Sequence, residues 1–127
     1  LSASGTTAGQ KPMPQNVRTV MLKEGLPTVA EARSRLNAEI QQARQAGVLA
    51  LKIIHGYGSS GVGGALREAI RASLRKRRKE GKIRAFVAGE QWSPFDETAR
   101  LILQECPDLA RDADLGRYNE GITIVLL

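Results

Sequence analysis

Apolar positions along this chain alternate between a period of two and a period of three to four. Asn16 to Lys23, NVRTVMLK, is rich in β-branched residues and predicts a first strand. Gly25 and Pro27 break it. Thr28-Val-Ala-Glu31 has the spacing of a capping box, so a helix begins there. Val29, Ala32, Leu36, Ile40 and Ala43 then place one apolar stripe on a helix that runs to about Ala46, and Gly47 ends it. Val48 to Ile54, VLALKII, is almost continuously apolar and predicts a strand buried on both faces. Beyond a glycine- and serine-rich stretch, Leu66, Ala69, Ile70, Ser73 and Leu74 mark the buried side of a second helix, which Gly81 stops. Ile83 to Ala88 predicts a third strand. Ser93-Pro94 has the form of an N-cap followed by proline at the first helical position. The helix so started would turn Phe95, Ala99, Ile102, Leu103 and Cys106 inward and stop at Pro107. Asp108 to Glu120 is polar and predicts loop. Ile122 to Leu127, ITIVLL, is apolar enough for a central strand.

The order β-α-β-α-β-α-β predicts an α/β fold with a mixed, mostly parallel sheet and right-handed crossovers. Ligands in such folds bind at the carboxyl ends of the strands. Residues 16–127 are expected to form a single domain behind a flexible N-terminal arm, 1–15, at a length that suffices for a modest core. No run approaches the roughly 18 apolar residues of a membrane span, and the N-terminus lacks the pattern of a signal peptide. One cysteine, Cys106, excludes an internal disulfide and a cysteine-based zinc site. The expected setting is cytoplasmic, with no membrane partner.

The net charge of +6 is unevenly spread. Arg67 to Arg84 holds nine Lys/Arg and two Glu, whereas Glu90 to Glu120 holds eight Asp/Glu and three Arg. A basic block of this density is the footprint of a polyanion partner, DNA or RNA, or else a solvated helix face. The acidic block, residues 90–120, would pair with the basic one, serve solubility or present a surface to a protein partner.

Between the second strand and second helix stands His55-Gly-Tyr-Gly58-Ser59-Ser60-Gly61-Val-Gly63-Gly64. Glycines here let a phosphate approach the backbone, and N–H groups at the following helix start favour an anion. Gly56, Gly58, Ser59, Ser60, Gly61, Gly63 and Gly64 are therefore candidate phosphate ligands, with Arg67, Arg71 and Arg75 along the helix. His55, the only histidine, fits a general base, a phosphate ligand, a metal ligand or an anchor for the loop backbone. Gly56-Tyr-Gly58-Ser-Ser-Gly61 formally matches a dinucleotide fingerprint. The match comes at the second strand rather than the first, and the acid expected about 20 residues on would fall near Glu80, on the tail of the basic helix. No dinucleotide cofactor is expected. Tyr57 and Trp92 are candidate stacking surfaces for bases, Trp92 as a partly buried one. Asp112 and Asp114 form a carboxylate pair on a polar loop, more in keeping with solvation than with a metal. No Ser–His–acid triad can be assembled.

LKIIHGYGSSGVGGALREAI together with the closing GITIVLL resembles the small MutS-related (Smr) domain family over roughly Val17 to Leu127. The matching elements are Ile53, Ile54, His55, Gly56 and Gly58; Gly64, Leu66 and Arg67; and Gly121 to Leu126. The resemblance implies a two-layer α/β sandwich like the C-terminal domain of translation initiation factor three. It also implies nucleic-acid binding and, in several members, DNA nicking or RNA cleavage. The family's first strand usually ends in an L-D-L-H-G motif, whose Asp and His are linked to cleavage. Here Leu22 stands for the aspartate and Glu24 for the histidine. If this chain is an endonuclease, the resemblance implies Mg²⁺ or Mn²⁺, with His55 and Glu24 as catalytic candidates. If it is not, the resemblance still implies a nucleic-acid-binding domain; the alternative is a non-catalytic protein-interaction module that keeps the fold. The helix and acidic loop at about 91–120 stand where the family has a short turn.

Overall fold

The computed structural model describes residues 16–25, 27–56 and 61–127, with side chains from residue 64 onward in the last span. The N-terminal arm 1–15 and Tyr57, Gly58, Ser59 and Ser60 lie outside the described residues. The elements are β1 (Val17–Met21), α1 (Val29–Gln45), β2 (Ala50–Ile54), α2 (Gly61–Lys79), β3 (Ala85–Ala88), α3 (Glu97–Glu105) and β4 (Ile122–Leu126), with short 3-10 turns at Gly89–Gln91 and Pro107–Arg111.

Local chemistry accounts for the boundaries. Thr28 Oγ1 accepts from the Glu31 N–H at 3.1 Å while Glu31 Oε1 accepts from the Thr28 N–H at 2.8 Å, so the capping box of α1 is complete. Such a cap contributes about 1 kcal/mol. Ala32, Leu36, Ile40 and Ala43 form its buried stripe, and Gly47 closes it with φ +76. Helix α2 begins at Gly61, so Gly61, Gly63 and Gly64 belong to its first turn rather than to the preceding loop. Helix α3 begins later than Ser93-Pro94 predicts. The Phe95 N–H donates to Ser93 Oγ at 3.1 Å in a turn, and Asp96 is the N-cap, accepting from Ala99 N–H at 2.9 Å. Phe95 therefore sits before the helix and is 92 % exposed instead of joining its inner face. Ala99, Ile102 and Cys106 do face inward.

The sheet order is β1-β2-β4-β3. β1 and β2 pair in parallel, whereas β4 is antiparallel to both neighbours, β2 and β3. The β-α alternation does set β1, β2 and β3 in one direction; β4 reverses and fills the slot between β2 and β3. The cause is the path of residues 89–121, which leaves the carboxyl end of β3 and returns to it. A Cβ on Gly89 would lie 1.8 Å from the Asn119 carbonyl oxygen and 2.8 Å from that of Ile122, so exit and return are in backbone contact and only glycine fits. The sheet is mixed, as expected, but not mostly parallel.

Period-two alternation sends side chains to two cores. Val20, Leu51, Ile53 and Val125 pack under α1 and α2 with Leu36, Ile40, Leu66, Ile70 and Leu74. Ala50, Val87, Ile122, Ile124 and Leu126 pack on the opposite face with Trp92, Ala99, Ile102, Cys106 and Leu109. The two layers implied by the resemblance thus become three where residues 89–121 cover the second face. Each large apolar side chain buried there contributes roughly 1.5–3 kcal/mol, so the segment is part of the core.

Candidate nucleic-acid interface and the buried network beneath it

Parallel pairing of β1 and β2 brings their carboxyl ends together, and the start of β4 joins them: Leu22 N–H donates to Ile54 O at 2.9 Å and His55 N–H to Gly121 O at 3.0 Å. His55 follows β2, and Gly56 turns the chain with φ +86. The imidazole is only 1 % exposed. Its Nδ1 lies 2.9 Å from the Gly56 carbonyl and its Nε2 2.8 Å from Thr123 Oγ1. A carbonyl can only accept, so Nδ1 carries the proton and Nε2 accepts from the threonine hydroxyl. Burial, reinforced by the charge of Arg71, lowers the His55 pKa to about 4, against the opposing pull of the Gly56 carbonyl. His55 is therefore neutral at pH 7. With both nitrogens engaged inside the domain, the ring is placed as an anchor for the loop backbone, one of the roles the sequence leaves open, rather than as an outward-facing phosphate ligand.

Arg71 completes the same chain. Its Nε donates to Thr123 Oγ1 at 3.1 Å, leaving the hydroxyl proton for His55. Nη1 and Nη2 bind the Glu90 carboxylate in bidentate fashion at 3.0 and 2.9 Å, and Nη2 also reaches the Ile122 carbonyl at 3.1 Å. Burial raises the Glu90 pKa, but the Arg71 hydrogen bonds outweigh it and hold the carboxyl below its usual range. At 8 % exposure, Arg71 ties α2 to the ends of β3 and β4 rather than reaching outward to a phosphate. Arg67 Nη1 meets Glu120 Oε1 at 3.1 Å. The two arginines stand one helical turn apart on α2, on the side that meets Glu90 and Glu120.

The rest of the basic helix differs. Arg75, Lys76, Arg78 and Lys79 are exposed, and among the described residues no carboxylate pairs with them. Arg75 and Arg78 line a cleft of about 320 Å³ between α2 and β3, where the Arg78 guanidinium lies 5.2 Å from the centre of the Phe86 ring. The cations open to a partner thus lie in the C-terminal half of α2.

On the second sheet face, Lys52 interrupts the apolar run of β2 and meets Asp112 and Asp114 at 2.7 and 2.6 Å. Burial would lower the Lys52 pKa, but the two carboxylates raise it. The Lys52 ammonium, with Asn119, holds Asp114 below its usual value. The aspartate pair is neither solvated nor a metal pair: it clamps an ammonium. Trp92, 1 % exposed, donates from Nε1 to Asp112 Oδ2 at 3.0 Å, so it is a core residue and offers no face to a base. The signal for this cluster and for Thr123 was present in the sequence as single polar residues inside otherwise apolar strands.

Glu24 is exposed in the turn after β1, where its carbonyl accepts from Arg35 Nη1 at 3.0 Å. Both ring nitrogens of His55 are engaged elsewhere, at the Gly56 carbonyl and the Thr123 hydroxyl, and neither hydrogen bond involves Glu24. Among the described residues no group of three or more His, Cys, Asp or Glu gathers as a metal site. No described helix is long and apolar enough to cross a membrane.

The Smr domain family model matches residues 24–93, ending just before α3. The fold is similar to the Smr domain of Thermus thermophilus MutS2, with a TM-score of 0.54 and 27% identity, over 87% of this chain and 96% of that one. No curated protein matches the chain. The family match, the fold and the His-Gly turn at the end of β2 agree, and the chain belongs to the Smr domain family.

Proposed function

We propose that this Smr domain binds DNA or RNA by phosphate contacts along the outer, C-terminal half of α2, with the first turn at Gly61, Gly63 and Gly64 offering backbone N–H groups at the other end of the helix. The observation that carries the reading is the division of the basic helix. Arg67 and Arg71 meet acidic partners within the domain, whereas Arg75, Arg78 and Lys79 face outward. Counterion release then makes affinity fall steeply with salt. Replacing Arg75 and Arg78 with Ala weakens binding and lowers the salt slope by about one unit per lost contact. Unchanged affinity and slope in that variant would overturn the assignment.

In the same reading His55 transfers no proton. Its buried, neutral ring positions the Gly56 carbonyl, and Leu22 and Glu24 replace the family's first-motif aspartate and histidine. The domain then acts as a binding module. Nicking of DNA or cleavage of RNA with Mg²⁺ or Mn²⁺ that vanished in a folded His55→Gln variant would contradict this.

A further inference from the structure

A groove of about 560 Å³ runs between α1 and α2, toward the end of the domain opposite His55. Arg33 and Arg44 line it from α1, Lys76 and Arg77 from α2, and Lys82 from the turn beyond; Glu80 is its single carboxylate among the described residues. Glu80 is already paired with Lys82 at 3.3 Å. The Nε of Arg77 is buried and has no hydrogen-bond partner among the described residues. Burial holds the Arg77 pKa below the usual arginine value; Glu80 opposes that shift and Arg44 adds to it.

Helix C-termini attract cations, which accounts for Arg44, Lys76 and Arg77. It accounts for neither Arg33, in the body of α1, nor Lys82, beyond α2. Five cations converging on one concavity repel one another, and a buried donor without an acceptor costs about 1–3 kcal/mol. An anion with several oxygens relieves both. Among the described residues the groove has no aromatic ring on which a base could stack, so recognition rests on phosphate oxygens. The volume falls within the range of small-ligand sites.

We propose that the α1–α2 groove is a second phosphate-binding site, separate from the outer face of α2, which takes an oligophosphate through Arg33, Arg44, Lys76, Arg77 and Lys82. The phosphates come either from a free oligophosphate or from a strand of nucleic acid.

The test is titration of the ¹⁵N-labelled full chain with inorganic tripolyphosphate, followed at the arginine Nε–H resonances. Saturable binding that moves Arg77 Nε–H is expected. Arg33→Glu with Lys76→Glu weakens it at least tenfold, and Arg75→Glu, across the helix, leaves it within about twofold, each variant being checked for an unchanged fold by its amide spectrum. A short oligonucleotide that displaces tripolyphosphate identifies the strand as the source, and simultaneous binding identifies the free oligophosphate; both outcomes support the site. An unmoved Arg77 resonance, or equal losses from charge reversal on both sides of α2, overturns it.

Discussion

Acidification isolates the buried histidine. His55 has an ordinary pKa of 6.5 when exposed and about 4 in the folded domain, chiefly through burial. The unfolded chain therefore binds a proton on the way down from pH 7.5 to pH 5 that the folded chain refuses. Since the folded pKa is depressed, its stability contribution is complete above the unfolded pKa and is lost as pH falls through 6.5 toward 4. Integrating over that window gives a loss of about 2 kcal/mol by pH 5, rising to about 3 kcal/mol below pH 4. For a domain of this size with some 5–15 kcal/mol of stability, that is a measurable fraction. The chain contains no second histidine, so the window reports this group. Urea unfolding at half-unit pH steps measures it. His55→Gln removes the slope while lowering stability at every pH, and the wild-type ring shows the Nδ1–H tautomer in ¹⁵N spectra at pH 6. A wild-type stability flat between pH 7.5 and 5, or a ring titrating near 6.5, would refute the buried-anchor reasoning.

Other perturbations test neighbouring parts. Arg71→Met leaves the Glu90 carboxylate without its bidentate partner and is expected to cost about 3–5 kcal/mol in urea unfolding, with Arg71→Lys rescuing little because an ammonium cannot reproduce the fork. Lys52→Met leaves Asp112 and Asp114 facing each other without their ammonium; the expected loss is about 3 kcal/mol, with the Asp114 pKa rising in NMR titration. Gly89→Ala drives a methyl into the Asn119 carbonyl and should abolish cooperative unfolding followed by Trp92 fluorescence. Replacing residues 94–119 with a short glycine-rich link uncovers Ile122, Ile124 and Leu126 and should leave no folded domain by circular dichroism, which separates a structural acidic segment from a detachable protein-binding one.

Local sequence rules reached as far as local physics does. The Thr28–Glu31 box, the Ala32–Leu36–Ile40–Ala43 stripe and the apolar strands are set by near neighbours, and each lies where its pattern places it. The reversal of β4 depends on where residues 89–121 deliver the chain, which no periodicity encodes. Phe95 departs from its expected place because a serine turn delays α3 by a few residues, enough to move an aromatic off the inner face. For the site, the glycine turn and the basic helix were legible, but the destinations of the arginines were not. Arg71 lies beside Ile70 and Leu74 on the flank of the buried face, and its partners Glu90 and Thr123 are 19 and 52 residues away. Thr123 and Lys52 carried the available hint: a lone polar residue in a buried strand requires a partner.

The most direct test of the division between buried network and open helix is a single titration of labelled domain with oligonucleotide, read at side-chain resonances. The Nε–H signals of Arg75 and Arg78 are predicted to shift progressively and to return as salt is raised, while the His55 ring and Arg71 Nε–H hold their positions. Movement of His55 and Arg71 with Arg75 and Arg78 unmoved would place the nucleic acid at the His-Gly turn and contradict the account.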